Sequence, residues 1–274
     1  MPATQINGVR LHYEIKGSGP SLVMVHGGWT DHHSWQAVVP GLAERFRVIT
    51  YDRRGHSLSE RPAGGQTRRQ SETDLAELIR ALHAEPAYVV GNSYGGLVSM
   101  GVAARWPSLV RALAIHEPPA VAVAGHGERA RPVAAAAEGI RQVVAEIEEG
   151  AFERGTRRFM EEVALGPGAW EMLPEATRAT FVGNAPAFAA EQSDPDWAAV
   201  DVERVRMLGS RLQVSQGDAS LLWFQAVADR LGELFPAAAR ATIAGAGHAP
   251  NLTHPDEYAE LLAAFFLEER AVAA

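Results

Sequence analysis

The chain has 274 residues, no cysteine and a formal net charge of −8 at neutral pH. Without cysteine there is neither a disulfide framework nor a thiolate metal site. An acidic balance with no basic block beyond pairs such as Arg53-Arg54 and Arg68-Arg69 argues against nucleic acid or an anionic membrane surface as partner.

In chain order, Asn7-Gly8 is a two-residue turn signal between Ala3–Ile6 and the alternating Val9, Leu11, Tyr13 and Ile15, which predicts a hairpin over 3–16. Leu22–Val25 is a continuous apolar run, as in a strand buried on both faces, and it ends in His26-Gly27-Gly28-Trp29. Trp35, Val38 and Leu42 fall at helical spacing and predict a helix over 34–44. Phe46–Tyr51 reads as the next strand, ending in Asp52-Arg53-Arg54-Gly55-His56-Ser57, and a helix is expected over 71–83 from the stripe Leu75, Leu78, Ile79, Leu82. Ala87–Gly91 is a strand, followed by a helix to about Trp106. Val110–Ile115 is another strand, closing in His116-Glu117-Pro118-Pro119.

From about 120 to 198 the texture changes to Ala, Glu and Arg with Gly and Pro interruptions, and only helical patterns remain. Beyond it come a strand over 211–215, a helix over 221–231, a short strand over 241–244 ending in Gly245-Ala246-Gly247-His248, and a closing helix over 256–268. Alternating strands and helices imply an α/β fold, a mostly parallel, doubly wound sheet with helices on both faces. The expected organisation is a core made of 1–119 and 199–274, with 120–198 as a helical cap inserted into it. No apolar run approaches the ~20 residues of a membrane span. The start, Met-Pro-Ala-Thr-Gln, has no charged-then-apolar pattern of a signal peptide, so a cytoplasmic setting is expected. Oligomeric state is left open, a homodimer among the choices.

The chemistry concentrates at Gly91-Asn92-Ser93-Tyr94-Gly95, the Gly-x-Ser-x-Gly pattern of a nucleophile elbow. A serine on a sharp strand-to-helix turn stands at the top of the sheet, and the helix behind it directs free N–H groups at any oxyanion formed there. Loops after parallel strands converge at the sheet's carboxyl edge, so strand-end polar residues are the remaining candidates: His26, Asp52, Glu117, Asp218 and His248. His248, last in the chain, suits the general base that a serine nucleophile needs. His26 is expected to anchor its loop. No metal site is expected, since His32-His33 and His248…His254 lack ligand spacing and no His-Glu-x-x-His occurs.

The hairpin start, His26-Gly27-Gly28, Asp52–Ser57, the Ser93 elbow and the Gly-His-Ala-Pro loop together resemble an α/β-hydrolase over essentially the whole chain. The resemblance implies an oxyanion hole from the backbone N–H of Gly28 and Tyr94, a structural turn at Asp52–Ser57, and a third member, an acid. In most of the family that acid follows the penultimate strand, three residues beyond its closing glycine. Here that position is Ser220, with Asp218 two residues early. Glu117 stands 24 residues after Ser93, at the end of the strand following the elbow helix. Some haloalkane dehalogenases place a Glu there, and zearalenone-type lactonases are similar in their His-Glu-x-Pro turn. Glu117 is therefore preferred, with Asp218 as the fallback. Trp29, Tyr94, Trp170, Phe181 and Trp223 are expected to line an apolar pocket. The implied function is cofactor-free hydrolysis of a small, mostly apolar ester or lactone through an acyl-enzyme. The alternatives are C–C bond hydrolysis, perhydrolysis or a lyase step on the same residues, and a non-enzymatic ligand receptor. A serine at 93, where an aspartate is needed, argues against dehalogenase and epoxide hydrolase chemistry.

Overall fold

A computed structural model describes residues 2–272 except 63, 65, 125 and 126. Asn7 and Gly8, both at positive φ (46° and 80°), reverse the chain between β1 (Ala3–Ile6) and β2 (Val9–Lys16). This is the turn geometry that matches the twist of a two-residue hairpin. β3 (Ser21–Val25) follows. The helix expected over 34–44 is instead a 3₁₀ turn at His32–Trp35 and a short α1 (Val39–Ala43). Pro40 explains the break, because it has no N–H to continue a ladder from the preceding turn. Asp31 closes the earlier turn by accepting from His33 N at 2.9 Å.

β4 (Arg47–Tyr51) leads to α2 (Arg68–Ala81), which starts three residues before its apolar stripe suggested. Thr67 and Gln70 form a reciprocal capping box there, satisfying two N–H groups of the first turn. β5 (Ala87–Asn92), α3 (Tyr94–Arg105) and β6 (Val110–His116) come next.

The segment between β6 and β7 forms only helices among the described residues: α4 (Ala130–Glu148), α5 (Phe152–Arg158), a wide π turn at Phe159–Ala164, α6 (Ala169–Met172), α7 (Glu175–Gln192) and α8 (Val202–Arg206). The expected insertion, 120–198, includes 125 and 126, which lie outside the described residues. The core resumes with β7 (Leu212–Gly217), α9 (Leu222–Leu234) and β8 (Ala239–Ile243), then α10 (Pro250–Thr253) and α11 (Pro255–Val272).

The eight strands make one sheet in the order β1-β2-β4-β3-β5-β6-β7-β8, antiparallel at β1/β2 and β2/β4 and parallel elsewhere. Each face has its own apolar layer. Leu42, Tyr258, Leu262 and Phe266 of α1 and α11 pack on Met24, Val90 and Ala112. Leu75, Ile79, Leu97 and Val98 of α2 and α3 pack on Val23, Val89 and Ile115. Burying each of the Leu, Val, Ile, Met and Phe side chains among these is worth about 1.5–3 kcal/mol. Trp35 belongs to the first layer and is fully buried. With the parallel strands clamped from both sides, the loops after β3, β5, β6, β7 and β8 meet at one edge. No helix among the described residues is long and apolar enough to cross a membrane.

Candidate active site

Ser93 links β5 to α3 at φ 53° and ψ −127°, a backbone state that costs of order 1–3 kcal/mol for a non-glycine residue. Its surroundings impose that conformation. Ser93 N donates to His116 O at 2.9 Å and Gly96 N to Ser93 O at 2.8 Å. The flanking glycines are demanded by contact. A Cβ at Gly95 would lie 2.2 Å from Val25 O, and one at Gly91 would lie 2.5 Å from Gly95 O.

Glu117 ends β6, also at positive φ (42°), and is fully buried. One carboxylate oxygen accepts from Gly217 N at 2.9 Å, and the other pairs with His248 Nδ1 at 2.8 Å. Burial works against its charge, but the bond from His248 and the nearby imidazoles outweigh it and hold the carboxyl below its ordinary range. A carboxylate on Nδ1 fixes the tautomer of His248 and leaves Nε2 for chemistry. Phe224 stacks on the imidazole, with centroids 3.7 Å apart and planes 15° apart. Asn92 Nδ2 donates to His248 O at 3.3 Å, tying the histidine loop to the elbow strand. Asp218 does not reach His248. It is exposed, and its Oδ1 accepts from Gly245 N at 2.6 Å, shaping the turn that precedes the histidine.

The loop after β3 faces Ser93. A Cβ at Gly27 would sit 3.3 Å from Ser93 Cβ, and one at Gly28 would sit 3.9 Å from Tyr94 Cβ. The carbonyls of this loop are all engaged. Arg53 Nε donates to His26 O at 3.1 Å, Arg53 NH2 to Gly27 O at 3.0 Å, and His56 Nε2 lies 2.9 Å from Gly28 O. Among the described residues, the N–H groups of Gly28 and Tyr94 stay outside the internal hydrogen-bond set. Two unpaired N–H groups beside a serine hydroxyl can receive an oxyanion.

Ser93 and His248 line one narrow cavity of about 70 Å³ together with Gly28, Trp29, Phe181 and Leu173. A second chamber shares Gly28, Trp29, Ser93 and Phe159 with it and adds Tyr94, Trp223 and Phe188. Among the described residues, no Asp, Glu, Lys or Arg lines either chamber.

The alpha/beta hydrolase family model matches residues 22–261. The chain belongs to that family. It is similar to the soluble epoxide hydrolase of Corynebacterium sp. strain C12, 43% identical over 94 residues, which is 34% of this chain and 33% of that protein. It is 40% identical to the 2-hydroxymuconate semialdehyde hydrolase of Pseudomonas sp. strain CF600 over 112 residues, 39% of this chain and 40% of that one. Across the curated relatives it matches, this hydrolase-family chain spans less than half their length. Over 96% of the chain it superposes on Est816, described as an N-acyl homoserine lactone degrading enzyme, with a TM-score of 0.73, 26% identity and all of that chain covered.

Within this alpha/beta hydrolase, four of the five expected lining aromatics border the two chambers, namely Trp29, Tyr94, Phe181 and Trp223. Trp170 lines neither. It is buried, with the Arg178 guanidinium 5.8 Å from its ring centroid. An aromatic residue reads alike in sequence whether it faces a pocket or fills a core. The lining also uses Phe159, Met160, Leu165, Leu173 and Phe188 from the helical insertion, which no sequence signal singled out. His26 anchors its loop as expected, accepting from Arg53 N at 2.9 Å through Nε2. Asp52 shapes the turn, accepting from His32 N at 2.8 Å and Leu58 N at 3.0 Å.

Sequence reasoning missed the buried pair of Arg53 with Glu191 of α7, 138 positions apart. Burial pushes the Glu191 carboxyl up to about 7 although Arg53 opposes the shift. The same guanidinium lies 4.9 Å from the Tyr94 ring centroid. Arg53 thus joins the loop after β3, the residue after Ser93 and the helical insertion. Asn184, also on α7, adds hydrogen bonds of 3.1 Å to the carbonyls of Trp29 and Thr30.

Proposed function

We propose that this chain hydrolyses a small, neutral ester or lactone, with Ser93 as nucleophile, His248 as general base and Glu117 as its acid. The observation that carries the reading is His248, tied through Nδ1 to a buried carboxylate and facing Ser93 across a chamber without a charged lining residue. Ser93 Oγ attacks the carbonyl carbon as its proton passes to His248 Nε2. The N–H groups of Gly28 and Tyr94 hold the tetrahedral oxyanion. When the acyl C–O bond breaks, the proton goes from His248 to the leaving alkoxide. Water then repeats the sequence on the acyl-enzyme and regenerates Ser93.

The lining favours an uncharged substrate. A muconate semialdehyde carries a carboxylate, and burying one without a cation is costly. An N-acyl homoserine lactone carries no charge. The serine argues against the epoxide chemistry of the Corynebacterium relative, which needs a carboxylate nucleophile. The helices of 120–198 act as the cap that shapes specificity.

The test is turnover on neutral aryl esters and lactones, beside covalent labelling by a fluorophosphonate read by intact mass. Wild type is expected to turn over and take one label, and Ser93→Ala to do neither. An unlabelled wild type, or activity surviving in Ser93→Ala, rules the reading out. C–C cleavage of a dienoate in preference to every ester would replace it with the semialdehyde relative's chemistry.

Phe159 borders both chambers and packs on Trp29 and Phe188 with ring centroids 4.9 and 5.0 Å away. Phe159→Ala is expected to merge them, raising kcat/KM for long-chain over acetyl aryl esters by about tenfold, of the order that one or two methylenes are worth in an apolar pocket. An unchanged chain-length profile would place the acyl group elsewhere.

A further inference from the structure

Outside the linings of the two chambers, two imidazoles and a carboxylate come together from separate elements. His12 and Glu14 stand on β2, and His32 on the turn after β3. One ligand atom of each lies within 4.8 Å of the others. We propose that His12, Glu14 and His32 form a binding site for a late first-row divalent cation, zinc above all.

The arrangement at His32 is that of a prepared ligand. Its Nδ1 donates to Asp52 Oδ1 at 2.6 Å, and Asp52 is fully buried. A carboxylate on Nδ1 places the ring proton there and leaves the lone pair on Nε2, as in the carboxylate–histidine pairs that support metal ligands. That Nε2 is 3.9 Å from Glu14 Oε1, too long for a hydrogen bond. Two ligand atoms on one tetrahedral zinc are about 3.4 Å apart, from bonds of about 2.0–2.1 Å. A half-ångström closure by Glu14 spans the difference, and its half-exposed side chain is free to make it.

The second observation is independent. His12 is 2% exposed, and its Nε2 has no hydrogen-bond partner. A buried, unpaired ring nitrogen is costly unless something occupies it. The His12 and His32 rings meet edge to face with centroids 4.7 Å apart. A cleft of about 180 Å³ lined by Glu14, His32, Gln36 and Lys16 gives an ion access and room for water as fourth ligand. Two nitrogens and one carboxylate oxygen suit zinc or its first-row neighbours, not magnesium or calcium, which take oxygen sets. The sequence concealed this site because His12 and His32 are 20 positions apart on different elements.

The test is isothermal titration of tag-free protein with ZnCl₂, with MgCl₂ as control. It reads metal directly, so its outcome does not depend on the role of Ser93. One zinc per chain is expected, with no magnesium binding. Glu14→Gln and His12→Asn should each weaken zinc at least tenfold. His33→Gln should leave it unchanged. Glu14 is half exposed, so its variant should keep the fold and the test does not rest on His12→Asn alone. The proposal is overturned if wild type shows no saturable zinc binding, if binding survives Glu14→Gln, or if His33→Gln abolishes it. The last result would assign the ion to the neighbouring trio Asp31, His32 and His33.

Discussion

Replacing Glu117 by Gln is expected to lower kcat on a neutral ester by about 10⁴-fold, while Asp218→Asn stays within a few-fold of wild type. The argument is one of tautomers. The Glu117 carboxylate accepts from His248 Nδ1 and so keeps Nε2 unprotonated. A carboxamide can turn its NH₂ toward Nδ1, which moves the ring proton to Nε2 and leaves no base facing Ser93. Shape and volume hardly change, and the Gly217 N–H can still find the amide oxygen, so the fold should persist. KM should move little, because Glu117 is fully buried and lines neither chamber. Asp218 is exposed and holds only the Gly245 turn. The reverse ranking of the two variants would transfer the acid's role to β7.

Breaking the Arg53–Glu191 pair is expected to cost about 3–5 kcal/mol, read as a fall in Tm of about 10 °C. Neither partner has solvent to fall back on, since Arg53 is 1% exposed and Glu191 fully buried. Arg53→Met leaves a lone carboxylate and also releases the carbonyls of His26 and Gly27, so kcat should fall along with Tm. Glu191→Gln leaves the guanidinium on those carbonyls and should lower Tm more than kcat. The double variant Arg53→Met/Glu191→Leu should recover much of the lost stability, because a buried ion pair exchanged for apolar groups is often neutral. Additive losses in the double variant would show that the two residues act independently.

Much of this was legible in the sequence because strand ends are legible. Parallel strands carry continuous apolar runs, their loops converge on one edge, and Ser93, Glu117 and His248 each follow such a run. The hairpin at Asn7-Gly8 was equally plain, since two consecutive positive φ angles call for those residues. The failures have physical causes. Apolar spacing at Trp35, Val38 and Leu42 suggested one helix, and Pro40 divided it. Trp170 and Trp223 carry the same ring, yet one fills the interior of the insertion and the other borders Ser93. The Arg53–Glu191 pair and the Phe159–Phe188 wall depend on how the inserted helices settle on the core. No local pattern encodes that.

The sheet order gives the site an unusual modularity. β5 and β6 are neighbours, so the elbow serine and the buried glutamate sit at the ends of adjacent strands within one β–α–β unit, residues 87–117. Where the acid follows a later strand, the two residues belong to distant segments. Here they are inherited as a block. A crossover with a related gene between β6 and β7 keeps the proposed nucleophile and acid, with the Gly28 loop, on one parent and asks the other for the histidine. Chimeras that exchange the segment between β6 and β7 while keeping a glutamate opposite Arg53 should therefore sample new pockets over the same proposed catalytic residues.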